Sequence, residues 1–212
     1  MVLDHGGGAD RLGVTALAGL RESGRHSSLF TVEKWDAAQI AWTRRRLELP
    51  AHIEPAKRHF EAVRVRPFDI HNEADCNLIT DAGWGLIMNG MVGTQSKYTT
   101  AAGRIGGGIT NTAAAYGNTD LAAATGATNR QWEMLSSNPT VPGSTQHTTG
   151  VVFAATFPTT DGNFAWAEFG IDQGTAAGTG ASVATMLNRG VSSPGTKTSA
   201  QTWNVSVTIT WT

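Results

Sequence analysis

The amino-acid sequence predicts a mainly β protein, in which an antiparallel, jelly-roll-like β-sandwich follows an extended, partly helical N-terminal arm. Two observations carry this prediction. The last ten residues, 203–212, alternate apolar and polar side chains without a break, as a half-buried strand does. Residues 91–212 hold only ten of the 33 charged side chains but 24 threonines, and threonine favours strands over helices.

The arm is predicted to contain one helix, over residues 32–49. Thr31 can cap its first turn, three arginines lie in the last turns where cations suit the helix dipole, and Pro50 ends it. Residues 50–70 contain two further prolines, and we expect them to be extended.

A second helix is predicted over about residues 74–89, at the start of the sandwich domain. Gly83 and Gly85 lie inside it, at a cost of about 1 kcal/mol each relative to alanine, which suggests close packing against another backbone. The sequence therefore divides into an arm, residues 1–75, and a β domain, residues 76–212. We expect the β domain to stay folded when the arm is removed.

The C-terminal half contains further alternating segments, separated by Gly, Thr and Asp turns as in a sandwich. The predicted strands cover residues 151–157, 163–171, 185–191 and 203–212. In strand 203–212, we expect the core-facing residues to be Trp203, Val205, Val207, Ile209 and Trp211. The segments between strands are predicted to be a loop at Gly103–Gly108, a short helix at Thr119–Gly126 and a turn at Ser193–Gly195.

Motifs for catalysis, metals and cofactors are not found. A single cysteine, Cys76, excludes an intrachain disulfide and a cysteine-based zinc site, and the six histidines show no metal-binding spacing. The glycines of residues 103–108 lack the Lys-Ser/Thr ending of a phosphate loop. A net charge of −1 disfavours a nucleic-acid binder, and no apolar run is long enough to span a membrane. We therefore predict no enzyme activity and no cofactor.

One buried polar cluster is predicted around strand 163–171. Glu168 lies between apolar neighbours, so its carboxylate needs backbone amides or Arg189 as a partner. A glycosidase carboxylate pair drawn from Asp161, Glu168 and Asp172 is the less favoured interpretation. The cluster is expected to be structural, with the members Asn163, Trp166, Glu168, Arg189 and Trp203.

The arm contains more aromatic and basic side chains than one helix can accommodate. We interpret them as a docking surface for another protein chain. The simpler interpretation is a helix end that is exposed to solvent. The candidate docking residues are Trp35, Trp42, Arg44, Arg45, Arg46, Phe60 and Phe68.

The C-terminal half resembles a family of tailed-bacteriophage virion structural proteins over roughly residues 80–212. The resemblance rests on GRIGGG at 103–108, TDLAAA at 119–124, FAATF at 153–157, NFAWAEFGI at 163–171, MLNR at 186–189 and GTKTSAQTW at 195–203. NFAWAEFGI is similar to an element of phage tail-fibre and collar domains. Relatives carry a bulkier segment where this chain has Gly106–Gly108.

This resemblance implies a non-enzymatic virion component, whose partners are the major capsid protein or other virion proteins. We expect an accessory capsid protein of the decoration or head-fibre type, because 212 residues are few for a tail fibre with a shaft. A minor tail or baseplate protein and a carbohydrate-binding sandwich, with Trp132, Trp166 or Trp211 as stacking platforms, are the alternatives. The low surface charge predicts a homo-oligomer, with a trimer favoured.

Overall fold

A computed structural model describes residues 26–74, 76–91, 97–141, 150–182 and 184–211. In these residues nine strands form two antiparallel sheets that pack face to face, so the predicted mainly β sandwich is confirmed. The first sheet has the strand order β2-β1-β9-β6 and the second β3-β8-β7-β4-β5. The strands are β1 His26–Trp35, β2 Asp69–Ala74, β3 Asn77–Ile79, β4 Arg104–Gly108, β5 Arg130–Met134, β6 Gly150–Phe157, β7 Ala165–Asp172, β8 Met186–Thr196 and β9 Thr202–Trp211.

Strand β9 lies at the centre of the first sheet, as its strict alternation predicts. Its side chains Trp203, Val205, Val207 and Ile209 are fully buried, and Trp211 packs partly buried against the same core. β9 is paired with β1 on one side and β6 on the other. Burial of these apolar side chains is the main source of stability in such a sandwich.

Aromatic rings join the two sheets. Phe30 of β1 stacks on Phe169 of β7 at a centroid distance of 4.0 Å. The ring centroid of Trp166 in β7 lies 4.7 Å from that of Phe157 and 5.6 Å from that of Trp203. Rings at these distances pack favourably beyond the area they bury, so they hold the sheets in one relative position.

The glycines of residues 103–108 do not form the predicted loop, because residues 104–108 are the buried strand β4. A Cβ at Gly106 would lie 2.5 Å from the Trp132 ring, and one at Gly107 would lie 2.3 Å from the Trp166 ring. The two indoles cover opposite faces of β4. Glycine is needed here because the tryptophans occupy the space that side chains would fill.

The predicted turn at Ser193–Gly195 is also wrong, because these residues belong to β8. Opposite them the pairing register shifts between Trp166 and Glu168, and Gly195 has φ +105°. The extra residues form a bulge rather than a chain reversal. The bulge lets Trp166 and Phe169, three positions apart, both enter the core while Glu168 faces outward.

The helix predicted over 32–49 is confirmed only in part. Residues 32–35 continue β1, because alternating side chains of β1 fill the core and β9 supplies a hydrogen-bonding partner along its whole length. Helix α1, Ala37–Arg46, begins after Asp36, whose carboxylate accepts from the Gln39 amide at 2.9 Å. A second helix, α2, Lys57–Ala62, lies in the segment that was expected to be extended.

The helix predicted over 74–89 begins later, as α3, Asp81–Met91, because residues 77–79 pair with β8. Thr80 supplies the N-cap, since its hydroxyl accepts from the Gly83 amide at 2.9 Å. The close packing expected at Gly83 is confirmed, because a Cβ there would lie 1.9 Å from the Leu187 carbonyl oxygen. Residues 119–126 form bends and not the predicted helix.

A boundary at residue 75 does not separate an arm from the sandwich. β1 lies between β2 and β9, and both β1 and β2 fall within the predicted arm. Removing residues 1–75 would expose the edge of β9 and the core side chains beneath it. The strand order therefore argues against the expectation that the remainder stays folded. Residues 1–25 lie outside the described part of the chain.

Candidate functional site

Helices α1 and α2 fold back over the last residue of β1. Trp35 stacks on Phe60 with 4.4 Å between ring centroids, and Ile40 completes a small second core. Two ion pairs hold the segment together: Lys57 Nζ to Glu33 at 2.5 Å and Arg44 to Glu54 at 2.7 Å. The other oxygen of Glu54 accepts from the Thr159 hydroxyl at 2.7 Å, which ties the helices to the sandwich.

Outside this small core, α1 and the residues that follow α2 present a basic face, which we define as Trp42, Arg45, Arg46, Arg64 and Arg66. Trp42 keeps 41% of its surface exposed, and the four arginines are exposed. In the part of the chain that the structure describes, none of the four is paired with a carboxylate. One shallow depression ends at Arg46 and the next joins Arg46 to Arg64, so the face is continuous from α1 to the residues after α2. Glu48 and Glu61 also line these depressions.

The segment that carries the basic face has a net positive charge, and the rest of the described chain has a net negative charge. Residues 36–68 contain seven basic and four acidic side chains, a net of +3. Residues 69–212 contain five basic and nine acidic side chains, a net of −4. A positive face on a protein of nearly zero net charge favours a negatively charged partner surface and orients its approach.

The predicted docking residues divide into three groups. Trp42, Arg45, Arg46 and Phe68 are exposed and available. Trp35 and Phe60 are not, since 1% and 0% of their surfaces remain exposed. This part of the prediction is wrong because the chain reverses direction after α1 and lets α2 bury the two rings together. Arg44 is occupied by Glu54 and by the Ile53 carbonyl.

The buried polar cluster centres on one ion pair on the outer face of the second sheet. Glu168 Oε2 lies 2.7 Å from Arg189 Nε, and both residues are 1% exposed. Glu168 also accepts from the amides of Ala122 and Ala123, at 2.9 and 2.7 Å. Both partners that the sequence suggested for this carboxylate, backbone amides and Arg189, are therefore present.

The other members of the predicted cluster lie elsewhere. Trp166 and Trp203 face the interior of the sandwich, and the Trp166 Nε1–H donates to the Gly162 carbonyl at 3.0 Å. Asn163 lies in the β6–β7 connection, where its side-chain oxygen accepts from Lys197 Nζ at 2.9 Å. The β8 bulge opposite residue 167 is the reason, because the register shift there turns Trp166 inward and Glu168 outward.

Two more buried arginines accompany Arg189 on this outer face. Arg104 Nε donates to Asp172 at 2.8 Å, and its guanidinium lies 4.8 Å from the centre of the Trp132 ring. Arg130 pairs with Asp120 at 2.7 Å and donates to the Leu121 carbonyl. These pairs attach the long loop between β4 and β5, and the loop after β7, to the sheet. These ion pairs were not predicted from the sequence, although lone arginines in charge-poor strands are a usable signal.

A second group of titratable side chains was also missed, because its members come from three separate connections and strands. Lys197 is 1% exposed, and its ammonium donates to the Pro158 carbonyl at 2.5 Å and to Asn163. Burial lowers the Lys197 pKa to about 8, although the charges of Asp161, Glu133 and Glu54 oppose the shift. Burial also raises the pKa of Glu133 to about 7. This group can exchange a proton near neutral pH.

One of the six histidines, His59, has a structural role. The ring nitrogen Nδ1 of His59 accepts from the Ala56 amide at 2.9 Å and so caps α2. Burial, and then the charge of Arg58, lower the His59 pKa. Among the described residues, no group of three or more His, Cys, Asp or Glu side chains is arranged to hold a metal ion. No described helix is both long and apolar enough to cross a membrane.

Comparison with known protein families, with curated proteins and with solved structures finds no significant match to this chain.

Proposed function

We propose that this chain is a non-enzymatic structural component of a tailed-phage virion, of the accessory capsid type, which docks through its basic face. The observation that carries the proposal is the exposed Trp42 on one face with four arginines that no described carboxylate pairs with. This helical segment is fastened to the sandwich by Glu33 and Glu54. Tryptophan and arginine dominate the binding energy of protein interfaces. The sequence resemblance to virion proteins supports the particle as the location.

The partner we propose is an acidic surface of the major capsid protein or of another virion protein. Nucleic acid and membrane are not part of the proposal. The chain is expected to assemble as a homo-oligomer, with a trimer favoured, and light scattering on the purified protein measures this directly. A strict monomer at high concentration would contradict the oligomer.

A tail-fibre or baseplate protein is the first alternative, because the NFAWAEFGI element is similar to one in tail proteins. A carbohydrate-binding sandwich is the second. Its proposed stacking platforms include Trp132 and Trp166, but these rings are 0% and 1% exposed and cannot stack on a sugar. Trp211 remains partly exposed at the end of β9.

The first experiment is mass spectrometry of purified particles from the phage that encodes the chain, followed by microscopy to place it on the capsid or tail. Absence from the particles would overturn the proposal. Labelling only at the tail would replace the capsid assignment with the first alternative.

The second experiment measures binding of the purified protein to particles that lack it. Trp42→Ala should weaken binding about 30-fold, the effect of a central interface residue worth about 2 kcal/mol. Arg46→Glu should weaken it further and reduce its dependence on salt. Lys97→Glu, a charge reversal at an exposed lysine outside the basic face, is the matched control. Unchanged binding by Trp42→Ala and Arg46→Glu would show that another surface docks.

A further inference from the structure

In the described part of the chain, one end of the sandwich is open between the two sheets. A cavity of about 340 Å³ lies there, which we call the end pocket, and its walls are mostly apolar. Leu86 and Ile87 of α3 line one side, and Val151 of β6 and Leu187 of β8 line the others. This volume falls in the range of pockets that bind a ligand or an inserted side chain. Apolar walls of this kind favour an occupant over water.

Two of the residues that line the end pocket have donors without an acceptor among the described residues. These are the buried hydroxyl of Tyr98 and the buried Nε1–H of Trp211. Burial raises the pKa of Tyr98, so its hydroxyl keeps its proton and remains a donor. A buried donor without an acceptor is destabilising, because it has lost its hydrogen bond to water. An occupant that brings carbonyl oxygens to this end of the sandwich can therefore gain energy from both donors.

The N-terminal segment of the chain enters the fold beside the end pocket. His26, the first residue of β1, is the direct register partner of Trp211. Residues 1–25 precede it, so they are attached at the rim of the pocket. Five residues, 21–25, separate Leu20 from His26. The six residue steps between them reach about 20 Å when fully extended.

The same segment has a suitable sequence. Residues 14–20 read VTALAGL, an uncharged stretch in which Leu17 and Leu20 are the largest side chains. Polar and charged residues follow at 21–25. A short apolar stretch on a tether, held next to an apolar pocket, has a high effective local concentration.

We propose that the end pocket binds residues 14–20 of the same chain, with Leu17 and Leu20 against the apolar walls and backbone carbonyls accepting from Tyr98 and Trp211. The inference is independent of the proposed virion function. It assigns this end of the sandwich to the chain's own N-terminal segment, whereas the basic face is assigned to the partner.

The test places a nitroxide spin label at position 18 of the full-length chain, as Ala18→Cys in a Cys76→Ser background. The methyl resonances of Val151 and Leu187 should lose at least half of their intensity. A label at Ser199→Cys, in the exposed β8–β9 connection, is the matched control and should leave these methyl resonances unchanged. In unlabelled protein, Leu17→Glu/Leu20→Glu should shift the indole resonance of Trp211, while Leu3→Glu should not.

Two further outcomes decide the proposal. If Leu17→Glu/Leu20→Glu restores the methyl intensities in the labelled chain, the apolar stretch is the occupant. Equal broadening with and without these substitutions, or none at all, would overturn the proposal. A mixed sample tells whether the segment comes from the same chain or from a second copy. It contains spin-labelled protein without isotopes and isotope-labelled protein without a spin label. Broadening that appears only between molecules would assign the pocket to a second copy and overturn the intramolecular assignment.

Discussion

Arg104, Arg130 and Arg189 are each more than nine-tenths buried on the outer face of the second sheet, and each pairs with a carboxylate. A buried guanidinium is costly unless its donors are satisfied. Here backbone carbonyls of the connecting loops accept the remaining N–H groups, for example Thr112 from Arg189 and Ala176 from Arg104. These arginines therefore fix where the loops lie, which is a structural role.

The ion pair of Glu168 provides the first prediction. Glu168→Gln should lower the free energy of unfolding by about 3–5 kcal/mol, because it leaves the buried Arg189 without a counter-charge. Urea denaturation measures this. Glu61→Gln, which removes an exposed carboxylate 3.9 Å from Lys57, should change the free energy by less than about 1 kcal/mol. A fully stable Glu168→Gln protein that has lost a hydrolytic activity would contradict the structural role.

Val207 provides the second prediction, at the centre of β9. It lies between Phe30 and Phe153 in the sheet register and is fully buried. Val207→Asp should cost several kcal/mol, roughly 3–5, because it buries an unpaired charge. Thr208→Asp, the next residue and on the opposite face, is the control and should cost much less. A normally melting Val207→Asp protein would mean that the faces of β9 are reversed.

At the scale of elements, β4 shows why a glycine-rich segment can be the most constrained strand of a sheet. It is hydrogen-bonded to β5 and β7 on its two edges, and all five of its residues are buried. Two tryptophans cover its two faces. Because these glycines have no side chains, the backbone of β4 lies in close contact with the rings of Trp132 and Trp166.

The third prediction compares two glycines. Gly107→Ala should destabilise the protein by several kcal/mol, roughly 2–4, since its Cβ would overlap the Trp166 ring, which is itself enclosed by core residues. Gly85→Ala in α3 has nothing within 4 Å of its Cβ and should stabilise by up to about 1 kcal/mol. Thermal unfolding of both variants measures the contrast. Equal melting temperatures would show that the β4 glycines are not required.

At the scale of the whole molecule, stability depends on charges from distant parts of the chain. Glu133 of β5, Asp161 between β6 and β7 and Lys197 between β8 and β9 meet at one place, and Glu54 reaches the same region. Protonation there is therefore linked to folding of the entire sandwich.

The fourth prediction concerns pH. The folded-state pKa of Glu133 is about 7, above its ordinary value of 4.5, so the folded protein holds this proton more tightly than the unfolded chain. Its contribution to stability is complete below about pH 4.5 and is lost as the pH rises through 7. For Lys197 the pKa is lowered from 10.5 to about 8, so its contribution is present above 10.5 and is lost as the pH falls through 8.

Glu133→Gln tests the first of these effects. The substitution should raise the free energy of unfolding at pH 8 by roughly 1–3 kcal/mol and flatten its decline between pH 4.5 and 7. Denaturation curves over this pH range measure it, with Glu61→Gln as the exposed control. An unchanged slope in the Glu133→Gln protein would show that this carboxyl group titrates normally in the folded state.

The sequence by itself determined the fold class and several strands, because strict apolar alternation allows only one face of a strand to be buried. This is why β9 and β6 were located correctly, and why the partners of Glu168 could be inferred: a buried carboxylate has few acceptable neighbours. It also pointed to Trp42, Arg45 and Arg46 as exposed candidates in the docking segment.

Only the tertiary structure decided the rest. Residues 32–35 have side chains compatible with a helix, and pairing with β9 made them a strand. GRIGGG has no side-chain pattern, and the space left by Trp132 and Trp166 made it the buried strand β4. Trp35 and Phe60 could each have faced a partner, and the chain reversal after α1 stacked them together. In each case the deciding energy comes from a contact between segments far apart in the sequence, which no local pattern records.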